Sequence, residues 1–208
     1  MTGENHDIRA VLSYSFMYDL FMRIMGVKKA RSLFASKYIR AKKGDVILDI
    51  GCGTAETRNY LADVKYYGFD PNPRYIKAAQ DKFCDTPGCT FFCADVEEAM
   101  IKALPKFDIV LAIGVLHHLD DKTAVLLAKL AKSALKEKGR LILVDTCFDI
   151  GQPHAARFLA SIDRGQCVRD VEGYLKILYA VFSNVKFNIH HDLMRFPYTH
   201  IITECIAG

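Results

Sequence analysis

Ten consecutive residues, Val46-Ile47-Leu48-Asp49-Ile50-Gly51-Cys52-Gly53-Thr54-Ala55, restrict this chain more than any other stretch. The first five have the length and β-branched content of a buried parallel strand. Gly51 and Gly53 follow at once. Without Cβ atoms they let the backbone turn sharply and come close to a ligand. An open α/β sheet forms a nucleotide-sized crevice at its strand ends in this way.

Three later runs give the loop its meaning. Lys65-Tyr66-Tyr67-Gly68-Phe69 ends at Asp70, whose two carboxylate oxygens match the vicinal hydroxyls of a ribose. Thr90 to Ala94 ends at Asp95, a potential acceptor for the exocyclic amine of an adenine. Phe107 to Ile113 opens into Gly114-Val115-Leu116-His117-His118-Leu119.

With these features the chain resembles the class I S-adenosylmethionine-dependent methyltransferases over roughly residues 44 to 146. It is most similar to the broad group that acts on small molecules, ubiquinone-biosynthesis enzymes among them. That family's Asp/Glu-x-Gly-x-Gly-x-Gly motif reads here as Asp49, Gly51 and Gly53, with Ala55 in place of the third glycine. The resemblance implies one α/β domain: a doubly wound, mostly parallel, seven-stranded Rossmann-like sheet with a C-terminal antiparallel hairpin strand and N-terminal helices. It divides the chain into an N-terminal helical cap (1–43), a cofactor half (44–146), and substrate-side helices with the closing hairpin (147–208).

The cofactor so implied is S-adenosylmethionine, with S-adenosylhomocysteine as product. Asp70 would hold the ribose, Asp95 and Val96 flank the adenine, and Gly51 and Gly53 pack against the methionine portion, with Asp49, Pro71 and Ile113 as further cofactor contacts. Tyr14 and Tyr18 would close over its end. A nicotinamide dehydrogenase would carry Gly-x-Gly-x-x-Gly, but the third position is Glu56, which would repel a pyrophosphate.

Half of the 208 residues are hydrophobic, enough for a sizeable core without staples. The polar start, Met-Thr-Gly-Glu-Asn-His-Asp, has no signal-like apolar core, and no window reads as a membrane span. Seven cysteines, an odd number, favour reduced thiols and a cytoplasmic setting. The spacing of Cys84, Cys89 and Cys93 fits neither a zinc ribbon nor an iron–sulfur triplet, so no metal is expected.

Helical spacing predicts an N-terminal helix with Met17, Leu20, Phe21 and Ile24 on one face, and a second over Lys29 to Ile39. Asn72-Pro73 reads as a capped entry to a helix burying Ile76, Ala79 and Phe83. Leu127, Leu130, Ala131 and Ala134 mark the helix after the fourth strand, and Gly139 ends a charged turn before a fifth strand, Leu141 to Val144. Further stripes are Ala155, Phe158, Leu159, Ile162 and Val171, Tyr174, Leu175, Leu178. Val185 to His190 and Tyr198 to Ile206 close the chain as paired strands.

The reacting groups are less sharply marked. Methyl transfer from a sulfonium is an in-line displacement, and an alcohol or phenol acceptor must also lose a proton. His117 and His118 stand where an imidazole base would serve, and Asp145 at the next strand end would orient one of them. The other reading is that the two rings only cap and position the turn. Arg164 and Arg169 suit a forked clamp on a carboxylate or phosphate, with Arg195 and Tyr198 as further substrate contacts. The expected partner is therefore a small acceptor, anionic if the arginines bind it, with O-methylation as the leading chemistry over C- or N-methylation. The net charge of +4 is spread out, and no Asn/Asp-Pro-Pro-Tyr/Phe motif follows the fourth strand. Both argue against an RNA or tRNA methyltransferase. A SAM-binding regulator without turnover is the alternative from another class.

Overall fold

The computed structural model describes residues 27–163, 165–193 and 197–208. The predicted helix around Met17 to Ile24, together with Tyr14, Tyr18, Arg164 and Arg195, lies outside them. The described residues form eight strands: β1 (Val46–Ile50), β2 (Lys65–Phe69), β3 (Cys89–Phe92), β4 (Phe107–Ile113), β5 (Leu135–Phe148), β6 (Arg169–Asp170), β7 (Asn184–His190) and β8 (His200–Ile206). Seven form a path in the order β3-β2-β1-β4-β5-β8-β7, and the two-residue β6 lies beside β5. β1 through β5 pair in parallel, whereas β8 runs antiparallel to both β5 and β7. The expected sheet and its closing hairpin are therefore present.

Helices cover both faces of the sheet. Leu48, Ile50, Val110, Ala112, Leu141 and Leu143 point to one side and pack against α4 (Asp121–Ala134) and α6 (Val171–Tyr179). Ile47, Ile109, Leu111, Ile142 and Val144 point to the other, against Phe34 and Ala35 at the end of α1 (Val27–Phe34) and Ala79 of α2 (Pro73–Lys82). This alternation is why the central strands read as continuous apolar runs. α2 begins as predicted, the Asn72 side chain accepting from Arg74 N–H at 3.0 Å with Pro73 at the first turn.

Three expectations are corrected. The helix predicted over Lys29 to Ile39 is α-helical to Phe34 and then widens into a π turn, Ala35–Ile39, ending at Arg40 with φ +51°. The charged stretch before the fifth strand is no free turn. Leu135 pairs with Phe107, and a register shift with Lys138 at φ +60° absorbs the extra residues within one long β5. In α5 (His154–Ser161) the buried face is Ala156 and Ala160, while Phe158 is 63% exposed and Ile162, beyond its end, 60% exposed. Small residues let this helix lie close to its neighbours, so side-chain size misled the periodicity argument.

The strand order reverses between β1 and β4, whose C-terminal ends therefore diverge into a crevice.

Candidate active site

Backbone conformation builds the first wall of this crevice. Gly51, Gly53 and Ala55 alternate through the left-handed region at φ +72°, +54° and +55°. The amides of Gly51 and Cys52 both donate to the Phe69 carbonyl, at 2.8 and 2.9 Å, which ties the loop to the end of β2. A Cβ on Gly51 would stand 2.8 Å from Val115 Cγ2, so the loop after β1 presses directly on the loop after β4. Ala55 occupies the third glycine position of the motif. Its left-handed backbone costs about 1–2 kcal/mol, offset in part by the complete burial of its methyl group.

The loops after β1, β2, β3 and β4 enclose a cleft of about 610 Å³, within the range of small-ligand sites. Of the residues singled out in the sequence, Gly51, Gly53, Asp70, Pro71, Asp95, Val96 and His118 line it. Asp49 and Ile113 do not; each lies one layer below. Asp49 is buried and accepts a hydrogen bond from Tyr66 Oη. Burial raises its ionisation to about 7, against the effect of the Tyr66 bond and with a further push from Asp70. Asp70 Oδ2 accepts from Gly53 N–H at 3.0 Å and Oδ1 from Asn72 N–H at 2.8 Å. The carboxylate is thereby fixed in place, and each oxygen keeps a lone pair for a ligand hydroxyl. β3 ends at Phe92, so Asp95 extends from the loop three residues beyond the strand.

Apolar residues form the opposite wall: Leu119, then Leu126, Leu127 and Leu130 of α4. Leu127 and Leu130, which mark this helix in the sequence, are partly buried against the core, and its fully buried face is Ala124, Ala128, Ala131 and Ala134. Tyr75 also lines the cleft and went unnoticed, because an aromatic one turn into a helix gives no periodic signal of its own. Among the described lining residues there are two carboxylates and no lysine or arginine. Such a donor set suits a cationic nucleoside and disfavours a pyrophosphate.

Past the cleft, the turn Leu116–His118 presents the two imidazoles. Their rings lie 4.1 Å apart at 41°. Asp145 holds His117 twice, Oδ1 lying 2.8 Å from Nδ1 and accepting the backbone N–H at 3.1 Å. The carboxylate that the sequence suggested as an orienting group therefore contacts His117. His118 faces the cleft. Burial lowers its ionisation below the usual histidine value, and His117 adds to this, while Asp163 and Asp145 oppose it. Burial raises that of Asp145, against its bonds to His117.

Arg169 is engaged by the protein itself. Nε donates to Asp121 at 2.8 Å, Nη1 to the carbonyls of Leu116 and Cys167, and Nη2 to the carbonyl of Leu119. It pins the histidine turn to the loop before β6, an arrangement unlike the predicted substrate clamp. Tyr198 Oη donates to Asp163 Oδ2 at 3.2 Å, close to the ring of His200. Burial drives the ionisation of His200 down to about 4. Asp163 and Gly165 are the site residues that sequence reasoning passed over, since an irregular loop offers no spacing to read.

Comparison with known proteins agrees with this geometry. The family described as a methyltransferase domain matches residues 48–141. Phosphoethanolamine N-methyltransferase 1 of Zea mays is 26% identical over 194 residues, covering 82% of this chain. The chain spans 38% of the length of that relative. Human N-acetylserotonin methyltransferase, solved with SAM, superposes with a TM-score of 0.64 at 16% identity, over 86% of this chain and 51% of the other. The [4+2]-cyclase SpnF gives 0.68 at 16% identity, over 86% and 80%. At such identities the two structures speak for the fold alone. The match to the methyltransferase domain thus runs from β1 into β5 and takes in the glycine loop and the four strand ends that form the cleft.

Proposed function

We propose that this protein transfers the methyl group of S-adenosylmethionine to a hydroxyl of a small acceptor. One observation carries the reading: His118, packed beside a His117 that a buried carboxylate orients, opens onto the cleft formed by Gly51, Gly53, Asp70 and Asp95. Bound there, S-adenosylmethionine supplies a methyl group on a positively charged sulfur. Asp70 would accept hydrogen bonds from the ribose hydroxyls, Asp95 and Val96 would hold the adenine, and Leu119, Leu127 and Leu130 would cover its apolar face. Gly51 and Gly53 leave room for the methionine chain along the backbone. The cofactor would supply the methyl carbon, its sulfur leaving with the electron pair of the broken bond, and an imidazole of the His117–His118 pair would take the proton from the acceptor hydroxyl. A neutral His118 at ordinary pH is suited to that task. We read residues 44–146 as the cofactor half and 147–208 as the acceptor half.

N-methylation is the second reading, favoured by the maize relative, whose name gives a phosphoethanolamine nitrogen as its target. The same imidazole pair would take the proton from an ammonium group.

The test is incubation with methyl-labelled SAM and the small-molecule fraction of a cell extract, followed by identification of the labelled product. Label on oxygen supports the first reading and label on nitrogen the second. Tight SAM binding with no label transferred and no S-adenosylhomocysteine released would leave a SAM-binding regulator.

A further inference from the structure

The methyl-transfer reading leaves one carboxylate without a role, and the following inference rests on that reading. The loop between α5 and β6 is fastened to the histidine turn at several points. Asp163 Oδ1 lies 3.6 Å from His117 Nε2 and accepts Gly165 N–H at 2.8 Å, while Oδ2 accepts the Tyr198 hydroxyl at 3.2 Å. Cys167 N–H donates to the His117 carbonyl at 2.9 Å. Gly165 stands so near the ring that an added Cβ would fall 2.0 Å from His117 Cδ2.

The His117 imidazole is thus set between two carboxylates. Asp145, at the end of a sheet strand, faces Nδ1, and Asp163, from the acceptor-side loop, faces Nε2. The Asp163 side chain is only 16% exposed, and the ion pair it makes among the described residues is with His117. Its second oxygen reaches the hairpin through Tyr198, so three separate segments meet at one carboxyl group: the β4 turn, the α5–β6 loop and the approach to β8.

We propose that Asp163 is a positioning residue for methyl transfer, one that holds the His117–His118 pair at the cleft and couples its placement to the acceptor-side loop and hairpin. Loss of Asp163 frees one face of the His117 ring and unties Tyr198. The cofactor wall is untouched, since Asp163 does not line the cleft. The effect reaches His118 as well. The ionisable groups that face it are His117, Asp163 and Asp145, and the two carboxylates oppose the downward shift that burial and His117 impose.

The test uses the full chain carrying Asp163→Asn or Asp163→Glu, with three measurements. Calorimetry should give SAM affinity within about twofold of wild type. Label transfer from SAM into the small-molecule extract should fall by about tenfold or more in the Asn variant and recover in part with Glu. In the presence of S-adenosylhomocysteine, the His118 ring signal in a carbon–proton correlation spectrum should titrate about half a unit or more lower in the Asn variant. A residue that served only to fold the loop would leave that titration in place. Unchanged His118 titration overturns the proposal, as does label transfer within twofold of wild type. Should wild type transfer no label while the titration still moves, the methyl-transfer reading fails and the hold of Asp163 on the pair stands. If the Asn variant does not fold, Tyr198→Phe releases only Oδ2 and should lower transfer by about two- to fivefold; full activity in that variant likewise overturns the proposal.

Discussion

Asp49 offers the sharpest physical test, because its chemistry is separable from any ligand. It is buried beneath the glycine loop, accepts the Tyr66 hydroxyl, and ionises at about 7 where an exposed aspartate ionises near 3.8. Between those two values the unfolded chain has lost a proton that the native state retains. Stability contributed at this position is therefore intact below about pH 4 and is lost as pH rises through about 7. Each unit of difference is worth about 1.36 kcal/mol, so the full shift amounts to about 4 kcal/mol, of which about 3 kcal/mol falls between pH 5 and pH 8. Asp49→Asn keeps an oxygen for the Tyr66 proton and carries no charge at any pH. Urea unfolding of both proteins without ligand, at fixed salt and half-unit pH steps, should show the variant gaining about 3 kcal/mol on wild type from pH 5 to pH 8. A difference that stays flat across that window would refute the reasoning, since it would mean that Asp49 ionises like an ordinary surface carboxylate.

Other outcomes follow from the same geometry. Asp70→Ala and Gly51→Val should each weaken SAM binding at least tenfold by calorimetry, about 1.4 kcal/mol or more; in the second case the new side chain must displace Val115. Gly165→Ala should leave SAM affinity nearly unchanged while label transfer collapses, because the methyl group cannot coexist with the His117 ring where it now lies. Arg169→Met should lower unfolding stability by about 2–3 kcal/mol, because the carbonyls of Leu119 and Cys167 lose the guanidinium and that of Leu116 keeps only the Leu119 N–H. Full stability with a raised acceptor KM would instead restore Arg169 as a substrate contact.

What could be read from the sequence was local or periodic. β1, β2 and β4 were placed to the residue, because short apolar runs ending in an acid or glycine define both their faces and their ends. The glycine loop and Asp70 were legible for the same reason: their chemistry lies next to a strand end. Long-range pairing was not. That Lys136 to Gly139 stays within a strand depends on Phe107, nearly thirty residues earlier, and nothing in the charged stretch itself reveals it. Arg169 looked like a free clamp because its carbonyl partners lie about fifty residues upstream. Phe158 and Ile162 were read as core because bulk was taken as the sign of burial, whereas two alanines carry the contact. Asp163 gives no signal in the sequence, since its contacts form only where three segments distant in sequence converge.

The alanine face of α4 has a practical consequence. Ala124, Ala128, Ala131 and Ala134 anchor the helix to the sheet, while Leu126, Leu127 and Leu130 look out over the cleft. Trimming Leu127 or Leu130 to a smaller residue should widen the part of the cleft that the proposed function gives to the purine, while the alanine contact with the sheet stays as it is. A donor analogue enlarged at the adenine could then be matched to a reshaped enzyme, with the scaffold that carries the chemistry left as it is.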